Sequence, residues 1–122
     1  MTVGASRTFD AAPGGHPAAT DQRVYAELWI SLASLLRSYT AVHGLSRNRQ
    51  ATVEVEEGRI LTRHGEKWLK LERKAATVTW KREDGSWGTL ELTEAGRLRD
   101  AMSSGEEEMD MAAETWAREL MR

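Results

Sequence analysis

The chain has 122 residues, 17 Lys/Arg against 19 Asp/Glu and a net charge of −2. That length suits one domain, and the near-balanced charge excludes bulk attraction to nucleic acid or membrane. The absence of cysteine excludes disulfides, thiolate nucleophiles and zinc–thiolate sites, and it fits a reducing compartment. No apolar run approaches the roughly 20 residues of a membrane span, and the N-terminus lacks the apolar core of a secretory signal. A cytoplasmic protein with no membrane partner is expected.

Residues 1–19 are rich in Gly, Ala and Pro, with Pro13-Gly14-Gly15 and His16-Pro17. They show no apolar period and read as a flexible tail, which leaves 20–122 as a single domain. Thr20 or Asp21 is a suitable N-cap for a helix. From there Tyr25, Leu28, Trp29, Leu32, Leu35, Leu36 and Tyr39 recur at three and four, making one broad apolar stripe. Gly44 marks the helix end, and residues 46–50 form a polar loop.

From Thr52 to Thr93 the period changes to two, and five short strands are predicted as an antiparallel meander. Turns are read at Glu57-Gly58, His64-Gly65, Lys74-Ala75 and Glu83-Asp84-Gly85. Two-residue loops at the first three and a bulge at Gly85 give one register. It sets Val55 opposite Ile60, Ile60 opposite Leu69, Leu71 opposite Val78 and Trp80 opposite Gly88. One face then collects Val53, Val55, Ile60, Leu69, Leu71, Val78, Trp80, Leu90 and Leu92, all apolar.

After the fifth strand, Thr93 is expected to cap a short helical turn through Leu98 and Met102. Ser103-Ser104-Gly105 then breaks the chain and caps a last helix. Its first turn would hold Glu106, Glu107 and Glu108, and Met109, Ala112, Ala113, Trp116 and Leu120 would form its stripe. The fold class is therefore α+β: an N-terminal helix, a five-stranded antiparallel meander and a C-terminal helix, both helices on one sheet face.

Catalytic chemistry finds little support. His16, His43 and His64 sit at no metal-ligand spacing, and no serine occupies a nucleophile elbow. No Gly-rich loop opens a helix as phosphate binding requires. Glu54, Glu56 and Glu91 are spread across the sheet, too far apart for an acid–base pair. No cofactor or metal is expected, and the reading is non-catalytic.

The second sheet face carries the functional expectation. The same register lines up Glu54, Leu61, Trp68, Lys81 and Trp87 across the five strands, with Arg59 and Lys70 in the next row. Opposed residues lie roughly 5 Å apart, so Lys81 would sit between two indoles. A water-facing sheet surface is ordinarily polar throughout. The expected site is thus Leu61, Trp68, Lys81, Trp87, Arg59 and Lys70. It would serve a homodimer or another protein, with Arg63, Glu54 and Glu72 as a charged rim. The alternative is single-stranded nucleic acid, its bases stacked on Trp68 and Trp87 with Lys and Arg nearby.

Overall fold

The alternation of apolar and polar residues folds as its period demands. In the computed structural model, which describes residues 19–45, 50–100 and 105–122, helix α1 (Ala19–Leu45) precedes the sheet. Strands follow as β1 (Thr52–Glu56), β2 (Arg59–His64), β3 (Lys67–Lys74), β4 (Thr77–Arg82), β5 (Trp87–Leu92), β6 (Arg97–Asp100) and β7 (Glu106–Glu108). Helix α2 (Met109–Met121) closes the described chain. The strands pair antiparallel in sequence order, and both helices cover the same face. The α+β architecture stands as expected, but the sheet has seven strands instead of five.

Helix α1 buries Trp29, Leu32, Ala33, Leu36 and Thr40, one stripe at helical spacing. It is described from Ala19, which places Thr20 and Asp21 within the helix, and Gly44 lies within its last turn. Helix α2 buries Met109, Ala112, Ala113, Ala117, Leu120 and Met121. Its three alanines leave a shallow surface on which α1 can lie close. Two contacts join the helices at the rim. The Tyr39 hydroxyl donates to Asp110 Oδ1 at 2.6 Å, and His43 Nε2 lies 2.9 Å from Glu114 Oε2. Donation to the Asp110 carboxylate holds the Tyr39 phenol above its ordinary pKa. At the far end of α2, Lys67 Nζ donates to the Arg122 carbonyl at 3.2 Å and Arg82 pairs with Glu119, placing cations at the negative helix terminus.

The sheet contributes Ile60, Leu69, Leu71, Val78, Leu92 and Leu98 to the core, with Val53, Val55, Trp80 and Leu90 packed round them. Every residue expected on the apolar face is there. The register itself differs in two hairpins. In β2–β3 the loop is Gly65-Glu66, so Ile60 opposes Leu71 instead of Leu69. In β3–β4 the loop is Ala75-Ala76, so Leu71 opposes Trp80 instead of Val78. Each shift is two residues, which returns every side chain to the same face, so the apolar pattern does not discriminate between the two pairings. The residue that accepts positive φ decides: Gly65 at +62° opens one loop and Ala75 at +55° opens the other. The β1–β2 and β4–β5 registers are as expected, with Gly85 at +90° in the latter turn.

The chain after Thr93 departs further. No helical turn forms through Leu98; Gly96 at φ +80° turns the chain back, and Arg97–Asp100 pairs with β5. The Thr93 hydroxyl does accept an N–H, from Arg97 at 3.1 Å, but across a hairpin loop. Glu106, Glu107 and Glu108 are a strand, not a first helical turn, and Glu108 caps α2 without a side-chain bond. Pairing with β6 sets Arg97 beside Glu106 and Glu108, 3.8 Å from each, which favours the extended form of the acidic run. The tail expected over 1–19, apart from Ala19, lies outside the described residues, as do 46–49, Met102, Ser103 and Ser104. Among the described residues, no helix is long and apolar enough to cross a membrane, and no group of side chains is arranged to hold a metal ion.

Two predictions follow from the core and the β4–β5 turn. Thr62 is fully buried and its Oγ1 has no hydrogen-bond partner among the described residues. Thr62→Val, of the same shape, should therefore stabilise the fold by about 1 kcal/mol in urea denaturation. In the turn, Asp84 Oδ1 accepts from Ser86 Oγ at 2.6 Å and from Ser86 N at 2.9 Å, which lowers the Asp84 pKa. A lowered folded-state pKa contributes stability above the unfolded carboxylate value, lost as pH falls through the folded one. Ser86→Ala should move the Asp84 titration upward, read from its carboxyl carbon by NMR.

Candidate interaction surface

The face opposite the helices is a grid of side chains, and the pairing assigns each to a row. One row runs Glu56, Arg59, Glu72, Thr79 and Thr89. A second joins Lys74, Thr77, Glu91, Arg99 and Glu106. In both, acids and bases alternate or meet threonine. Arg59 lies 2.9 Å from Glu56, and Thr77 Oγ1 donates to Glu91 at 3.0 Å. Such ladders neutralise themselves and make an ordinary solvated face.

The remaining two rows differ. One runs Glu54, Leu61, Lys70, Lys81 and Trp87. Here Lys70 stands directly opposite Lys81, a juxtaposition that costs stability within a sheet. Neither ammonium has an ion-pair partner among the described residues, and neither does Arg63. Trp87 beside Lys81 is 66% exposed, the most exposed of the large aromatic side chains described. In the adjoining row Arg63 opposes Trp68, whose backbone N–H donates to Glu83 Oε1 at 3.0 Å.

Each expected site residue can therefore be placed. Leu61, Lys70, Lys81 and Trp87 share one row. Trp68 falls in the next row because of the two-residue shifts, diagonal to Lys81 instead of opposite it. The expected sandwich of one ammonium between two indoles in line is thus replaced by a two-row corner. Trp87 flanks Lys81 directly, and Trp68 lies on the diagonal, roughly 7–8 Å away. Arg59 belongs to the self-neutralised row and is engaged with Glu56. Arg63, expected only as rim, stands against the Trp68 position. Neither tryptophan is covered by a helix of its own chain: both alternate with residues of the helix-facing side.

The inner face holds one feature that sequence reasoning missed, because it depends on β6 and β7. Leu98 is buried toward the helices and opposes Glu107, and Leu90 opposes Asp100. Opposed residues share a face, so two carboxylates lie on the helix-facing side of the sheet. They border a cavity of about 460 Å³ between the sheet edge and α2, walled by Trp80 and Trp116. Gly88 makes room for the Trp80 indole: a Cβ there would stand 2.5 Å from Trp80 Nε1.

No protein family, curated protein or solved structure matches this chain.

Removing the like-charge pair should stabilise the monomer. Lys70→Glu sets a carboxylate opposite Lys81 and diagonal to Arg59 and Arg63, and is expected to add roughly 0.2–1 kcal/mol. Urea denaturation in dilute protein, where association contributes nothing, measures it.

Proposed function

We propose that this chain is a non-catalytic interaction domain that self-associates through its uncovered sheet face. The observation that carries the reading is the order of groups across β1 to β4. A row with acid at one end, an apolar residue within and bases at the other is self-complementary under a twofold rotation.

Consider a twofold axis parallel to the strands, over the gap between β2 and β3. It lays β1 of one copy over β4 of the second, and β2 over β3. Glu54 then meets Lys81 of the second copy, which supplies the carboxylate that Lys81 lacks in its own chain. Arg63 meets the Trp68 ring of the second copy, a cation–π pairing. Arg59, already beside Glu56, meets Glu72 of the second copy, and Leu61 covers the aliphatic stem of Lys70. The like-charge pair that destabilises the single chain is relieved on association. An aromatic and apolar centre with a charged rim is the usual composition of such an interface. Its sheets would stack about 10 Å apart.

Sedimentation velocity on the full chain tests this. The expected result at tens of micromolar, roughly the range of a modest dimer, is the mass of two chains. Glu54→Lys and Lys81→Glu should each weaken the dimer by about tenfold, near 1.4 kcal/mol, and the double exchange should restore it. A monomer at all accessible concentrations would overturn self-association. A monomer that binds oligothymidylate, with affinity falling steeply in salt and lost in Trp87→Ala, would assign the corner to single-stranded nucleic acid.

A further inference from the structure

The cavity between the sheet edge and α2 is chemically unlike the exposed face. It lies on the opposite side of the sheet and is independent of any dimer. Its volume, about 460 Å³, is within the range of small-molecule sites. Its two large walls are indoles, Trp80 from β4 and Trp116 from α2, both partly buried against the edge of the core. Trp116 belongs to the apolar stripe expected of this helix, yet Ala117 is the residue the core buries.

The charged groups on the described lining of this cavity all carry one sign. Asp100, Glu106 and Glu107 border it, the only other side-chain polar group on a described lining residue, apart from the indole N–H groups, is the Thr115 hydroxyl, and no described lining residue is cationic. The three glutamates of β7 are divided by strand alternation. Glu106 and Glu108 point to the outer face and approach Arg97, 3.8 Å from each. Glu107, opposite buried Leu98, is set toward the helix side and has no ion pair among the described residues. Glu107 is exposed, so its carboxylate stands in water at the rim of the cavity that the two indoles wall. Indole faces and carboxylates both attract cations, and apolar walls favour a cation that carries alkyl groups.

We infer that this cavity is a binding site for a small organic cation of the alkylammonium class, held between the Trp80 and Trp116 rings with Glu107 as counter-ion. A hydrated metal ion would find no convergent ligand set, since no group of described side chains is arranged for one. A phosphate or carboxylate ligand would meet only like charge.

The five tryptophans make the test site-specific, because each indole N–H gives its own NMR signal. Choline is titrated into the full chain, with 3,3-dimethylbutan-1-ol as the uncharged analogue of the same shape. Choline should shift the Trp80 and Trp116 indole signals saturably, and the neutral analogue should bind about tenfold more weakly or worse. Glu107→Gln should weaken choline several-fold while the other indole signals keep their positions, which reports an intact fold. Trp116→Leu should abolish the shift at Trp80; if that variant does not fold, Glu107→Gln alone decides. Equal response to the two probes would overturn the inference. So would shifts confined to Trp68 and Trp87, or none at about 10 mM choline.

Discussion

Everything in this molecule depends on one packing constraint: two helices cover a single face of a seven-stranded sheet. Trp29, Leu32 and Leu36 of α1 close with Ile60, Leu69, Leu71 and Val78 into one core, each essentially removed from water. Burial of such side chains is worth roughly 1.5–3 kcal/mol apiece, so the choice of inner face is strongly determined. The alanine surface of α2 lets the second helix share that face with the first. Once both helices are on one side, the other side of the sheet is left to charge, threonine and indole.

The uncovered face then divides itself by how its charges are paired. Most of it consists of cross-strand ladders in which each acid has a base or a threonine beside it, and such a surface has no need of a partner. The corner of Lys70, Lys81, Arg63, Trp68 and Trp87 is the exception. Its cations face one another or an indole, and its most exposed indole is two-thirds open to water. Opposed like charges weaken a sheet, and an exposed indole is a large apolar surface left wet. Both costs fall at one corner of the uncovered face. On the inner side, the sheet edge beyond the core is only partly filled, and there the same alternation sets exposed Glu107 at the rim of the cavity that Trp80 and Trp116 wall.

Most of this was legible along the chain, and the exceptions share a cause. The helical stripe from Tyr25 to Tyr39 and the alternation from Val53 to Leu92 identify both layers, because periods of 3.6 and 2 are direct consequences of backbone geometry. Membership of the inner face survives intact. The pairing of Trp68 with Arg63, and of Lys70 with Lys81, does not follow from that alternation, since a two-residue slip preserves it. Gly65 and Ala75 decide the slip, and an alanine at positive φ gives no sequence signal. The acidic run Glu106-Glu107-Glu108 resembles the start of a helix by composition alone. Its strand form needs the neighbouring Arg97 and Arg99, which local propensity does not include.

By itself, then, the amino-acid sequence determined which residues go inside, because burial depends on local period and on the apolar character of each side chain. It determined the two layers, the meander order and the presence of an unusual aromatic and basic surface. Only the tertiary structure decided which charges stand opposite which, and that two more strands carry carboxylates round to the Trp80–Trp116 cavity. Cross-strand pairing is a relation between distant segments, set by turn geometry and by the strand alongside. No single stretch of chain contains it.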